Sequence, residues 1–275
     1  MPKIVWEPDP VFMAIGAGEL RYYSLCFMLL LVTGYALLAW QVCRGGGDRE
    51  EAGDFSGYGI LGVLVGARAG HVFWYDFEKF THDPAWALKI WTGGLASHGA
   101  AIGLAVAMYW FTKRRAIPFL EGCDRLAPAI PPGALLCRLG NLMNSEIVGK
   151  PTDQTWGFQF PRYDFTDQPP FRHPTQLYEM LLAAVVFAIV LAADRRLGRE
   201  ARPRGALTGI LLVTLFTGRF VVEFFKEPQG ELLLGLNRGQ LLSAPLVLIG
   251  VVLLVVSVRR PRAAGWVVGG AAQRA

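Results

Sequence analysis

Apolar residues in this chain gather into long runs separated by short polar segments, instead of recurring at every third or fourth position. Seven runs approach the ~20 residues a helix needs to cross the hydrocarbon of a bilayer. They fall at 20–42, 57–77, 91–112, 126–143, 176–193, 207–225 and 239–258. The pattern predicts an all-α fold: a polytopic membrane protein with seven transmembrane helices, one integral-membrane domain over 1–275. The fourth run is the weakest. Pro128, Pro131 and Pro132 interrupt it, which predicts a broken or partly re-entrant helix, tolerated at membrane depth only where protein or water satisfies the freed backbone.

Composition strengthens this reading. The chain is 53% hydrophobic and 18% charged, against about 25% charged for a soluble domain. Charge also gives an orientation. The loops after runs 1, 3 and 5 and the C-terminal tail hold 15 Lys and Arg; the N-terminus and the other loops hold 8. By the positive-inside rule the richer side is cytoplasmic, so the N-terminus is outside and the C-terminus cytoplasmic. The net charge of +5 is then mainly a topology signal, with no nucleic acid as partner; adhesion of the inner loops to anionic membrane lipid is a secondary reading. The first 18 residues carry Glu7 and Asp9 against a single Lys3 and lack a long apolar stretch, so no cleavable signal peptide is expected.

The proline-rich segment 144–175 predicts a small irregular periplasmic head. The acidic end of segment 45–54 is expected to cap a helix starting near Ser56. The four cysteines, Cys26, Cys43, Cys123 and Cys137, are expected to form neither a disulfide nor a metal site.

Four arginines lie in or at the ends of apolar runs: Arg21, Arg68, Arg138 and Arg219. Each costs a few kcal/mol or more at the bilayer centre, so buried anions or a charged ligand must satisfy them. Arg138, Asn141 and Asn144 recur at i, i+3 and i+6, near one helix face, with Glu146 just beyond. An arginine with two amides suits a phosphate or carboxylate; the competing reading is hydrogen bonding between helices. Arg219 and Glu223, at i and i+4, either form a self-neutralising pair or present Arg219 to a ligand. His98 lies among small residues and has the chemistry of a proton acceptor, although a lone histidine in an apolar helix is more often structural. Arg68 and His71, and Tyr23 near the start of the first run, also admit structural roles. Pro174 suits the start of the fifth helix, where His173, Gln176 and Glu179 can face an outer cavity.

His98-Gly99, the block RLGNLMNSEIVG from Arg138 to Gly149, HPTQLYE from His173 to Glu179 and GRFVVEFF from Gly218 to Phe225 together resemble the prolipoprotein diacylglyceryl transferase family. The resemblance runs from about residue 10 to 258, and the Arg138–Gly149 block is its most specific part. It implies a seven-span bacterial inner-membrane enzyme with an outward N-terminus. The implied reaction moves the diacylglyceryl group of phosphatidylglycerol to the lipobox cysteine thiol of a prolipoprotein, releasing glycerol phosphate. It implies catalytic roles for Arg138, Arg219, His98 and Glu223. Substrate binding falls to Tyr23, Arg68, Asn141, Asn144, Glu146, Gly149, His173, Gln176 and Tyr178. No metal or other cofactor is implied, and the expected state is a monomer. Three positions depart from the family pattern: Ala100 and Ser145 replace glycines, and Lys150 replaces an arginine. They leave room for a relative with another lipid or acceptor. An anion transporter is the alternative from another class; it would show paired broken helices or repeats, and the sequence has one broken run and no visible repeat.

Overall fold

The computed structural model describes residues 4–16, 18–89, 93–94, 96–153, 156–228, 235–259 and 266. It is mostly helical. The helices are α1 (Tyr22–Arg44), α2 (Arg49–Trp74), α3 (Phe77–His82), α4 (Ser97–Arg114), α5 (Phe119–Leu126), α6 (Ile130–Met143), α7 (Pro161–Asp164), α8 (Thr175–Arg196), α9 (Ala206–Val222) and α10 (Arg238–Ser257). A helix of 14 residues or more stands at each of the seven apolar runs. Among the described residues three are long and apolar enough to cross a membrane by length and composition: Tyr22–Arg44, Thr175–Arg196 and Gly239–Ser257. Ala206–Val222 is apolar but shorter. On α10, Leu248, Ile249, Val252 and Val255 all point outward and are exposed, the inverse of a water-soluble helix.

The chain divides into two compact units, residues 1–37 with 126–263, and residues 38–125 with 264–275. In the first, α6 packs on α8, α8 on α9 and α9 on α10. Ala127, Val186, Val190, Leu207 and Leu211 form a buried core there, with Ile130, Leu182 and Leu215 against it. Pro131 and Pro132 sit in the first turn of α6, and Ala127–Ala129 ahead of it is a 3-10 turn. Proline is tolerated there because first-turn amides have no helical acceptor. The break expected from the prolines is therefore present, placed at a helix start.

The all-α expectation holds for the bulk of the chain, which is helical. The first unit also carries short strands: β1 (Ile4–Val5), β2 (Val11–Ile15), β3 (Gly18–Arg21), β4 (Phe158–Gln159) and β5 (Phe171–Arg172). β2 and β3 form a hairpin. β4 pairs parallel with β1 and antiparallel with β5, so part of the segment expected to be irregular is a small sheet. Its inner face carries Phe158, which with Leu142, Val148 and Phe160 makes a second core. Trp6 packs on that core and donates from Nε1 to the Leu142 carbonyl at 2.8 Å. Backbone pairing gives these proline-rich segments hydrogen-bond partners that helices cannot supply.

In the second unit α2 lies against α4. A Cβ at Gly70 would come within 2.8 Å of the Gly99 Cα, so the glycines are what allow the two backbones to approach. Helix α2 begins seven residues before the expected start near Ser56, because Asp48 and Glu51 form a capping box. Each side chain accepts from the other's backbone amide, satisfying donors that the first turn leaves open. Asp124 lies inside α5 and is fully buried.

Candidate active site

The first unit gathers most of the candidate residues into one polar cluster. It is built on α6, whose last two turns carry Arg138, Asn141 and, at the C-cap, Asn144. Arg138 donates from Nη1 to Asn141 Oδ1 at 2.9 Å. Asn141 donates from Nδ2 to Glu146 Oε2 at 3.0 Å, and Asn144 Nδ2 donates to Glu146 Oε1 at 3.1 Å. The carboxylate of Glu146 thus reaches both amides at once.

The turn after α6 makes this possible. Ser145 and Ile147, on either side of Glu146, have φ of +56° and +58°. That region favours glycine and is strained for a β-branched residue; it also accounts for the glycine expected where Ser145 stands. Surrounding bonds hold the turn. The Glu146 amide donates to the Asn141 carbonyl at 2.8 Å. Gln176 Nε2 donates to the Glu146 carbonyl at 2.7 Å, and Thr175 Oγ1 to the Ile147 carbonyl at 3.0 Å. Gly140 lets α1 come close: a Cβ there would lie 2.8 Å from the Tyr23 ring. Tyr23 therefore belongs to this cluster.

Glu179, one helical turn beyond Gln176 on α8, accepts from Arg138 Nε. It also pairs with Lys226. Lys226 Nζ donates to Glu223 Oε1 at 2.7 Å, and Asn237 Nδ2 donates to Glu223 Oε2 at 3.1 Å. Arg219 Nε lies 3.9 Å from Glu223 Oε1, with 39% of its side chain exposed. Three cations and three carboxylates thus share one partly buried cluster: Arg138, Arg219 and Lys226 with Glu146, Glu179 and Glu223. Such charges are costly in a low-dielectric setting unless paired and hydrogen-bonded. Two capacities stay open among the described residues. Arg219 makes no close hydrogen bond, and the buried amide oxygens Asn144 Oδ1 and Gln176 Oε1 have no donor.

Gly149 joins three backbone segments. Its amide donates to the His173 carbonyl at 3.0 Å, and it bridges Lys226. Arg172 ties the head to the same point. It donates to Asp164 through Nε and Nη2 at 3.0 and 2.6 Å, to Glu227 at 2.8 Å and to the Gly149 carbonyl at 3.1 Å. The bonds to Asp164 and then Glu227 hold its pKa above the usual arginine value. His173 Nδ1 and the Tyr178 hydroxyl share a hydrogen bond at 3.1 Å, against Trp156 and Phe225. Burial holds His173 below the ordinary histidine range.

Two candidates lie in the second unit. The His98 side chain is outside the described residues. Arg68 is buried and donates to the carbonyls of Trp86, Ala87 and Gly93 at 2.7, 2.8 and 2.6 Å, while stacking on the Trp86 ring. Its donors hold the backbone at Trp86, Ala87 and Gly93. Arg21, the remaining arginine, forms an exposed pair with Glu19. Lys226 and Asn237 are the members of the cluster that the sequence did not single out. The available signal was the i, i+4, i+7 series Arg219, Glu223, Lys226 at the end of one apolar run.

The cluster lies within the part of the chain that matches known proteins. A sequence profile of the prolipoprotein diacylglyceryl transferase family matches residues 10–256. A phosphatidylglycerol–prolipoprotein diacylglyceryl transferase of Pseudoalteromonas atlantica is 38% identical over 263 residues, covering 93% of this chain and 91% of the relative. Proteins of the same name from Vibrio parahaemolyticus and Aeromonas hydrophila are each 37% identical, covering 92% and 94% of this chain and 92% and 93% of their own. This chain belongs to the prolipoprotein diacylglyceryl transferase family.

Proposed function

We propose that the chain transfers the diacylglyceryl group of phosphatidylglycerol to the lipobox cysteine thiol of prolipoproteins. The sulfur attacks the glyceryl carbon that bears the phosphate, a C–S bond forms, and the C–O bond breaks with its electron pair going to the phosphate. Glycerol phosphate departs, and the acceptor carries a thioether. A phosphodiester with one negative charge becomes a monoester that gains a second, so cations preorganised at that oxygen lower the barrier. The observation that carries the reading is the Arg138–Arg219 cluster, in which Arg138 is fixed and Arg219 remains uncommitted.

Arg138 and Arg219 hold the leaving phosphate. Glu223 orients Arg219, and Glu146 with Asn141 orients Arg138. The buried amide oxygens of Asn144 and Gln176 suit the hydroxyls of a glycerol headgroup, which are donors. Tyr23 lines the site from α1, Gly149 keeps the backbone segments together, and His173 with Tyr178 forms one wall. His98 takes the thiol proton, since the thiolate is the nucleophile; that role rests on the motif. Arg68 acts by holding the backbone at Trp86, Ala87 and Gly93. The seven long helices are the spans of one integral-membrane catalytic domain, monomeric, in the bacterial inner membrane, with the N-terminus outside and the C-terminus cytoplasmic.

The test uses purified protein in detergent with phosphatidylglycerol and a synthetic lipobox peptide, read by mass spectrometry. A gain of one diacylglyceryl group, absent when the peptide cysteine is serine, is expected. Folded protein that binds phosphatidylglycerol and yields no adduct would overturn the reading in favour of another acceptor.

A further inference from the structure

Lys226 holds a place in the cluster that the transfer reaction does not itself require. It is 6% exposed, and its ammonium lies between two carboxylates, Glu179 of α8 and Glu223 at the end of α9. Its backbone is fixed. Phe225 accepts from the Lys150 amide at 2.8 Å, Lys226 bridges Gly149, and the Glu227 amide donates to the Val148 carbonyl at 3.3 Å. The Glu227 side chain is anchored in turn by Arg172.

The carboxylates around it have unequal support. Glu179 also accepts from Arg138. Glu223 has Lys226 at 2.7 Å and Asn237 at 3.1 Å, and the next cation is Arg219 at 3.9 Å. Remove the ammonium and Glu223 becomes a partly buried anion whose nearest remaining cation is Arg219. A buried carboxylate without its partner recruits the next available one, since leaving it unpaired is costly. Arg219 would close onto Glu223 and lose its freedom.

We infer that Lys226 is a positioning residue for phosphate departure: by satisfying Glu223 and Glu179 it leaves Arg219 open for the leaving group. The inference rests on the transferase reading above. It assigns Lys226 no contact with substrate. It also predicts that the charge matters more than the shape of the side chain.

Steady-state kinetics of Lys226→Met, Lys226→Gln, Lys226→Arg, Glu223→Gln and the Lys226→Met/Glu223→Gln pair test it, with melting measured for each. Both neutral variants are expected to lose roughly tenfold in kcat, the scale of a residue acting through its neighbours. Lys226→Arg should stay within about threefold of the parent. Glu223→Gln should cost less in the Lys226→Met background than alone, because with Lys226 gone Glu223 no longer orients Arg219 but captures it. Lys226→Gln, which keeps a donor, carries the test if Lys226→Met fails to fold. Folded neutral variants with parental kcat would overturn the inference. So would an arginine variant as impaired as the neutral ones, or strictly additive losses. A parent protein without transfer activity would instead sink the transferase reading itself.

Discussion

Replacing Gly149 by alanine tests the way the cluster is assembled. A Cβ at this position would lie 2.6 Å from the His173 Cβ and 2.8 Å from the Phe225 carbonyl oxygen, where ordinary contact begins at 3.4 Å. Both neighbours must withdraw by at least roughly 0.6–0.8 Å, and the His173 carbonyl oxygen, closer still, by more; the Phe225 backbone is paired to Lys150 and cannot swing freely. Overpacking of this size costs about 1–3 kcal/mol. The gain from a less flexible unfolded chain, about 0.4–1 kcal/mol, offsets part of it. The net expectation is about 1–2 kcal/mol of destabilisation. The functional effect should be larger, because the segments that part carry His173 and Lys226. A displacement approaching 1 Å in positioning groups can cost about 10²-fold in rate. The assay is peptide lipidation by mass spectrometry beside a thermal melt in the same detergent. A modest fall in melting temperature with a large fall in kcat is expected. Parental activity and melting would refute the claim that this glycine sets the geometry.

Other consequences are directly measurable. Burial pushes the Cys123 thiol up to about 12, so it should resist alkylation at pH 8 in folded protein, while exposed Cys43 reacts; peptide mapping after iodoacetamide treatment reads this, and equal labelling would contradict it. Burial lowers the His173 pKa, so the unfolded chain binds that proton more readily. The stability His173 supports is complete above about pH 6.5 and is lost as pH falls from there through the folded value. Melts from pH 8 to 5 should show a loss that shrinks in His173→Gln; an unchanged loss would assign it to other groups.

Much of the fold is legible in the sequence, because run length and hydropathy are local properties. A helix stands at each of the seven apolar runs, three of them long enough to cross a membrane among the described residues, and the prolines of the fourth mark its irregular start. Helix edges were less legible. The Asp48–Glu51 box begins α2 well before its apolar part, since capping acts through polar side chains outside a hydropathy pattern. Two-residue strands such as β4 and β5 have no periodicity to read; their pairing with one another and with β1 exists only once the chain has folded. The same division holds for the site. Arg138, Asn141, Asn144 and Glu146 are neighbours in sequence, and their spacing announced them. Lys226 read as one more loop charge, because its partner Glu179 lies 47 residues away. Arg68 shows the reverse: an arginine in an apolar run suggests a ligand, yet here backbone carbonyls satisfy it.

The most direct test of the account is the rate of transfer by Arg219→Ala and Arg138→Ala under saturating phosphatidylglycerol, with folding verified by melting. If these cations stabilise the departing phosphate, kcat should fall by roughly 10²–10³-fold in each. A folded Arg219→Ala variant that transfers at the parental rate would contradict the central claim that this cluster is where the phosphate leaves.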